Sequence, residues 1–199
     1  EDDQVEIVSS LGDDRAVEVL EAMQPDDAAD LLAELSDDLA EKLLALMDPG
    51  EAEGMRRLLA YDENTAGGMM TTEPVILPPD ASVAEALAHV RRAELSPALA
   101  IAVFVCRPPL ETPTGRYLGL AHLQRMLREP PHTAVGTILD KDVEPLDPSD
   151  PLEAITRHLA TYDLVAAPVI DDTGSLLGVV SVDDVLDHLL PEDWRDHDD

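Results

Sequence analysis

GVVSVDD, residues 178–184, joins an apolar strand to the first turn of a helix. The strand is predicted over Leu176–Val180 and the helix over Val182–Leu190. An earlier apolar strand, Ala166–Ile170, is separated from them by a turn at residues 171–174. A sheet this small needs a second layer to cover it, and half a domain of this size is marginally stable alone. The segment therefore predicts one half of a paired α/β structure.

The same order of elements occurs upstream, with a helix over Val83–Ala93, a strand over Ile101–Val105 and a second strand and helix between residues 117 and 128. The later copy has its matching first helix at Leu152–Tyr162. Equivalent residues are 68 positions apart before a proline-rich connection at 107–114 and 59 apart after it, as in Val75 and Val143, Glu85 and Glu153, and Gly119 and Gly178. The spacing predicts two tandem strand–helix–strand–strand–helix units.

Residues 13–60 repeat with a period of twelve. Three apolar positions recur at this spacing: Ala16, Ala28, Ala40 and Ala52; Val19, Leu31, Leu43 and Met55; Met23, Leu35, Met47 and Leu59. Within a unit they lie on one face of a short helix. Helices this short are unstable alone and must stack on one another. The period therefore predicts a superhelical stack of short helices, an α-solenoid.

Acidic or proline-containing turns open the four units, at residues 13–14, 25–27, 36–38 and 49–51. Carboxylates at the start of a helix can cap it or interact favourably with its dipole. Helix capping is therefore an alternative to ligand binding for Asp26.

The chain carries 13 Lys+Arg and 43 Asp+Glu in 199 residues, a net charge of −30. Nucleic acid is excluded as a partner because phosphate binding needs a basic face. The charge is concentrated in residues 1–60, with a net charge of −14, and in residues 183–199, with −7. A solvated acidic surface is the simple interpretation, and a salt-loving source is another, although it would acidify every surface. The net charge favours a cation as the partner, and its uneven distribution favours a functional role for the acidic segments.

These features resemble the cytosolic region of the MgtE family of magnesium channels and transporters. Residues 178–184 match the ending of a CBS domain, and the acidic solenoid runs into the tandem repeat through YDENTAGGMMT at residues 61–71. In that family the cytosolic part senses Mg²⁺ and closes the pore when internal Mg²⁺ is high. The resemblance implies an α plus α/β fold with a short-helix solenoid at 1–61, a linker at 62–68, CBS domains at 69–132 and 133–190, and an acidic tail at 191–199.

The resemblance also implies which carboxylates bind Mg²⁺. In the solenoid it points to Asp26 and Asp30, and in the second CBS domain to Asp163, Asp184 and Asp187. The spacing agrees, because Asp26 and Asp30 share one helix face and so do Asp184 and Asp187. Mg²⁺ keeps several waters and takes one or two carboxylates per site. We therefore expect it to bridge two acidic faces that repel each other when empty, and so to favour a compact closed state.

Adenine nucleotide is the alternative ligand, because CBS pairs often bind it in the cleft between the two copies. The second copy has the serine and aspartate that would contact it, Ser181 and Asp184, whereas the first has His122 and Arg125 in their places. We expect weak binding in the cleft of the second copy. In this alternative the chain is a CBS-pair protein regulated by nucleotide, and its acidity serves only solubility.

An enzyme is not expected, since no P-loop, G-x-G-x-x-G, H-E-x-x-H or C-x-x-C motif occurs. Gly67-Gly68 is interpreted as a hinge between the solenoid and the CBS pair. Cys106, the single cysteine, ends an apolar strand and is predicted to be a buried, inert thiol.

We expect a homodimer, because CBS pairs commonly associate through their helices. The longest apolar run, Ala98–Cys106, is far shorter than the roughly 20 residues of a membrane helix, and no signal segment opens the chain. We therefore expect a cytoplasmic location, at the membrane's cytoplasmic face if the full protein has a pore domain. Residue 1 is Glu rather than Met, so a fragment is expected, with the pore domain as a partner outside this chain.

Overall fold

The computed structural model describes residues 2–93 and 95–190. The predicted acidic tail, 191–199, lies outside the described residues. The elements follow in the order α1 Asp2–Ser10, α2 Asp13–Ala22, α3 Pro25–Glu34, α4 Asp37–Leu46, α5 Pro49–Leu58, β1 Ile76–Leu77, α6 Val83–Val90, β2 Ala102–Cys106, β3 Tyr117–His122, α7 Leu123–Met126, α8 Leu152–Thr161, β4 Ala166–Ile170, β5 Leu176–Ser181 and α9 Val182–Leu189. Within these ranges no helix combines the length and apolar character needed to cross a membrane.

The first five helices form the predicted solenoid, which begins one helix earlier than the twelve-residue repeat indicated. Acidic side chains occupy the first turns of α2 to α5, and proline opens α3 and α5, where its missing N–H costs no hydrogen bond. Each helix packs against the next but one, α2 against α4 and α3 against α5. The repeat positions are mostly buried, as at Leu31, Leu43 and Met55, although Val19 is exposed on α2.

Each α/β unit places its last two strands antiparallel. In the first unit β2 pairs with β3, and β1 joins in parallel, with Ile76 opposite Phe104. In the second unit β4 pairs with β5, and Leu146 makes the equivalent parallel bridge to Val169. The predicted order of elements is confirmed in both units. The main difference is that α6 ends at Val90, earlier than predicted.

The two units exchange the segments that lead into them. Thr71, near the start of the first unit, pairs with Val179 of β5, and Asp140, near the start of the second unit, pairs with Leu120 of β3. Backbone hydrogen bonds at 2.9 Å and 3.0 Å close the first of these bridges, and bonds at 2.7 Å and 3.3 Å close the second. Each sheet is therefore completed by residues from the other half of the pair.

One continuous apolar core connects the solenoid to the second unit and to one face of the first unit's sheet, which includes Phe104 and Cys106. The other face of that sheet, with Val103 and Val105, covers a separate core under α6 and α7. The predicted burial of Cys106 is confirmed. The solenoid therefore packs as part of the same body as the second unit.

Gly67 and Gly68 do not form a hinge. Both are buried, and the Gly67 N–H donates to the Pro148 carbonyl at 2.8 Å. A Cβ on Gly68 would lie 2.3 Å from the Asp62 carbonyl oxygen, so only glycine fits there without movement of the backbone. The prediction was wrong because a glycine pair fits close packing as well as it fits a flexible joint.

Candidate functional site

Asp26 lies in the first turn of α3 and is almost completely buried, with 5% of its surface exposed. It does not cap the helix, because the cap position belongs to Gln24 and no side chain there accepts a hydrogen bond. Its Oδ1 atom is buried without a hydrogen-bond partner. Capping, the alternative raised from the sequence, therefore does not explain this residue, and a buried carboxylate oxygen without a partner is costly.

Asp184 lies in the first turn of α9, at the corner where β5 ends. The N–H of Ser181 donates to its Oδ2 at 3.2 Å, which is the return bond of a capping box. The single proton of the Ser181 hydroxyl is shared between that oxygen and Asp183 Oδ1, the latter at 2.6 Å from the hydroxyl oxygen. The corner holds two carboxylates around one buried hydroxyl, so it is rich in acceptors and poor in donors.

The charge of the half-buried Asp184 acts on the buried Asp26 across the contact between the solenoid and the second unit. Burial first, and then the charge of Asp184, raises the pKa of Asp26 to about 8. Burial also raises the pKa of Asp184 to about 6, with further increases from Asp183 and Asp27 and opposing hydrogen bonds from Ser181. Asp184 ionises first, so its charge opposes ionisation of Asp26, whereas Asp26 is still neutral when Asp184 loses its proton. Among the residues that the structure describes, no positive charge contributes to either shift.

Asp27 is a site residue that the sequence analysis missed. It is exposed beside Asp26, and its charge raises the pKa of both Asp26 and Asp184. In the sequence, Asp27 is marked only as one member of an acidic pair. Asp13-Asp14 and Asp37-Asp38 are pairs of the same kind, so this pattern does not distinguish Asp27 from them.

The other predicted ligands differ in their placement. Asp30 is exposed one turn after Asp26 and also raises the pKa of Asp26. Asp187 is half-buried one turn after Asp184 on α9. Both make interactions within the protein.

Asp163 ends α8 with a left-handed backbone at φ 51°. The Leu164 N–H donates to the Leu159 carbonyl at 3.0 Å, as in a Schellman turn, where asparagine-like residues tolerate this conformation. Helix termination therefore gives a structural reason for an exposed aspartate at this position.

Carboxylates are suitable donors for a hard cation, and the unpartnered Oδ1 of Asp26 is an acceptor that a cation could satisfy. Among residues 2–93 and 95–190, however, no three His, Cys, Asp or Glu side chains are grouped closely enough to hold a metal ion. A fully dehydrated site with many protein ligands does not fit this arrangement. A hydrated ion held by one or two carboxylates does fit it, and Mg²⁺ binds in this way.

Two cavities lie between α5 and the CBS pair. The larger, of about 410 Å³, is lined by residues that include Glu51, Glu73 and Arg57, and burial and then Glu73 raise the pKa of Glu51. The smaller is lined by Tyr61, Met70 and Leu177 among others. Neither is lined by Ser181 or Asp184, the two residues predicted for nucleotide.

Family profiles divide the chain in the same way as its structure. The MgtE intracellular N domain matches residues 1–64, and the CBS domain matches residues 66–131 and 135–191. A stack of short helices in front of two interlocked units is therefore a helical intracellular domain joined to a CBS pair. The chain belongs to the MgtE family, as its motifs predicted.

The magnesium transporter MgtE of Thermus thermophilus is 34% identical over 139 residues, which are 70% of this chain and 30% of the transporter. A solved structure of the cytosolic domain of the Mg²⁺ channel MgtE in complex with ATP has a TM-score of 0.82 at 32% identity, over 94% of this chain and 75% of that one. The soluble part of a magnesium transporter has a TM-score of 0.83 at 27% identity, over 95% of this chain and 72% of that one. None of these three names describes an enzyme.

Proposed function

We propose that this chain is the Mg²⁺-sensing regulatory module of a magnesium transporter or channel. The observation that carries the proposal is Asp26, a buried carboxylate with an unpartnered oxygen that faces the charge of Asp184 across the contact between two domains. A cation bound there would favour the closed arrangement of the solenoid on the second CBS domain.

The charges explain why closing would depend on a cation. When both are ionised, Asp26 and Asp184 repel each other where burial weakens screening by water, and Asp27 and Asp30 add to the repulsion on Asp26. Mg²⁺ with part of its water shell would bridge Asp26 and Asp184, with Asp30 and Asp187 one turn further along each helix. We place Asp163 of the second CBS domain in the same set.

Several weak sites suit a sensor better than one tight site. A ligand that binds only the closed form stabilises it by RT ln(1 + [L]/Kd), about 2.7 kcal/mol at a hundredfold excess over Kd. A sensor must respond close to ambient Mg²⁺, where each site contributes less than this. Several sites within one set of carboxylates together provide the free energy that stabilises the closed form.

The test is small-angle scattering or limited proteolysis in MgCl₂ and in NaCl of equal ionic strength. Compaction by Mg²⁺ alone is expected, because screening by salt depends on ionic strength and not on the particular cation. The double variant Asp30→Ala/Asp187→Ala should lose most of this response. Glu18→Ala, at the position of Asp30 in the preceding repeat, is the matched control and should retain it.

Equal compaction in the two salts, or an undiminished response in the double variant, contradicts the proposal. The chain would then be an acidic CBS protein whose charge serves only solubility.

Adenine nucleotide is a second ligand that one observation favours, since a similar cytosolic domain was solved in complex with ATP. We propose that nucleotide would bind this chain weakly, in the cleft of Ser181 and Asp184. These two residues already satisfy each other by hydrogen bonds, which a ligand would have to replace. Calorimetry with ATP, AMP and a cyclic dinucleotide tests this, and tight binding that Asp184→Ala leaves unchanged argues against this cleft.

We further propose a homodimer that associates through the CBS helices. Leu186 and Leu189 on α9, Leu190 after it and Leu127 after α7 are exposed leucines. An apolar helix face of this kind is typical of an interface. Light scattering at high protein concentration in Mg²⁺ should give twice the monomer mass, and a monomer under these conditions removes the proposal. In the full protein we place the module at the cytoplasmic face of the membrane, below a pore domain.

A further inference from the structure

The chain leaves the solenoid through a short connection, residues 59–63, between the end of α5 at Leu58 and Asn64. From Asn64 onward the backbone is fastened to the second CBS domain. The Asn64 carbonyl accepts from the Leu152 N–H at 3.2 Å, and the Ala66 N–H donates to the Asp150 carbonyl at 2.9 Å. Residues 64–71 therefore move with the second CBS domain, and the five preceding residues form its joint with the solenoid.

The Tyr61 ring lies in this joint, directly against the backbone of Gly67. A Cβ on Gly67 would lie 2.5 Å from both Cγ and Cδ1 of Tyr61 and 3.0 Å from the Pro148 carbonyl oxygen. Such distances are far below van der Waals contact, so the ring can occupy this place only because residue 67 is glycine. The Tyr61 N–H donates to the Leu58 carbonyl at 3.0 Å, which holds the backbone of Tyr61 against the end of α5.

We propose that residues 59–63 are the pivot on which the solenoid turns, and that the Tyr61 ring seated on Gly67 sets the angle at which α3 meets α9. The inference rests on the proposed Mg²⁺-driven closing and assigns Tyr61 and Gly67 as positioning residues. They act on the acids at the contact through the orientation of the solenoid. A rotation at the pivot separates Asp26 from Asp184 and lets water between them, which weakens any interaction with a shared cation.

The test compares Gly67→Ala, Tyr61→Ala and the double variant with the control Gly54→Ala, whose added Cβ would meet nothing within 4 Å. Spin labels at the exposed positions Glu41 and Ala160, each changed to Cys, report the distance between the solenoid and the second CBS domain. The Mg²⁺ midpoint of compaction is the second measurement, and thermal unfolding is the third.

Gly67→Ala should shift the label distance and raise the Mg²⁺ midpoint by about tenfold, within the usual range of coupling between sites. Tyr61→Ala should broaden the distance distribution and raise the midpoint similarly. If glycine acts through the ring, Gly67→Ala should add less than about twofold in the Tyr61→Ala background, as expected for residues in contact. Gly54→Ala should change neither the distance nor the midpoint.

Additive effects of the two substitutions, or a Gly67→Ala distance distribution identical to that of the wild type, overturn the pivot. The label distance also separates the two proposals. A wild type that ignores Mg²⁺, while Gly67→Ala shifts its distance in NaCl alone, refutes Mg²⁺ sensing and supports the pivot. If Gly67→Ala does not fold, Tyr61→Ala carries the test, and an unchanged distance distribution in that variant refutes the pivot.

Discussion

The corner between the last strand and the last helix is present in both CBS domains, but it carries different side chains in each. In the first, β3 leads through His122 into α7, which is four residues long, and the His122 Nε2 atom lies 3.4 Å from Asp140 Oδ2. In the second, β5 leads through Ser181 into the eight-residue α9, which opens with two aspartates. The first corner joins a histidine to an acid, whereas the second gathers acids around a serine.

The repeated fold places an equivalent corner in both domains, and the side chains at each corner determine its chemistry. Arg125 occupies in the first domain the place of Asp184 in the second. Only the second corner meets an acid of the solenoid closely enough to raise its pKa, as Asp184 does for Asp26. The proposed sensor therefore depends on one of two architecturally equivalent corners.

The largest expected effect comes from removing the acid at the second corner. Asp184→Ala should weaken Mg²⁺ binding by at least about tenfold, or about 1.4 kcal/mol, because one of the two carboxylates proposed to hold the ion is lost. Titration calorimetry measures this directly. Arg125→Ala, the equivalent change at the first corner, should leave Mg²⁺ binding within about twofold. Similar losses from both substitutions would remove the distinction between the corners.

Within the solenoid, Asp26→Asn should make the module compact in NaCl alone. The amide is neutral and similar in size, so the buried contact no longer needs a counter-ion. Asp38→Asn is the control, because Asp38 occupies the same repeat position on α4 but is exposed. Small-angle scattering without Mg²⁺ checks the outcome, and an Asp26→Asn variant as extended as the wild type contradicts it.

The contact should also respond to pH in the absence of Mg²⁺. The pKa of Asp26 is raised from 3.8 to about 8, so the closed form binds its proton more tightly than the open form does. Stability of the contact is therefore present at low pH and is lost as pH rises from about 4 through about 8. Proteolytic protection should fall between about pH 4 and pH 8, and Asp26→Asn should flatten that slope. Protection that rises with pH would disprove the assignment.

The smallest effect concerns the corners as helix ends. Ser181→Ala should lower the free energy of unfolding by about 1 kcal/mol, because a buried hydroxyl that donates to the first-turn carboxylates of α9 is lost. His122→Ala should cost less, since no side chain there caps α7. Chemical denaturation of the two variants compares them, and a greater loss from His122→Ala would show that the first corner depends more on its histidine than its hydrogen bonds indicate.

The solenoid could be predicted from sequence because its apolar positions recur in every repeat, and the CBS units because their strands and helices do. The burial of Asp26 could not be predicted. Asp14 and Asp38 share its repeat position and are exposed, so local pattern does not distinguish them. Which acid meets α9 depends on how the superhelix docks, a long-range property of the whole fold.

The docking of residues 64–71 on the second CBS domain could not be predicted from sequence for a similar reason. In the sequence alone, Gly67-Gly68 indicates a flexible pair. In the structure, the Tyr61 ring lies against Gly67 and the Asp62 carbonyl against Gly68, so there is no space for a side chain at either position. Asp163 is the opposite case, because its role can be local. Its left-handed backbone ends α8, which a pattern of candidate ligands in the sequence does not show.

The exchanged segments at Thr71 and Asp140 mean that the CBS pair cannot be divided at its apparent boundary. A polypeptide ending at residue 132 would keep β3 but lose Asp140, leaving the backbone N–H and carbonyl of Leu120 without their partners. An open strand edge of this kind recruits other chains. Production of either CBS domain by itself should therefore yield aggregates or swapped dimers, in which a second molecule supplies the missing strand.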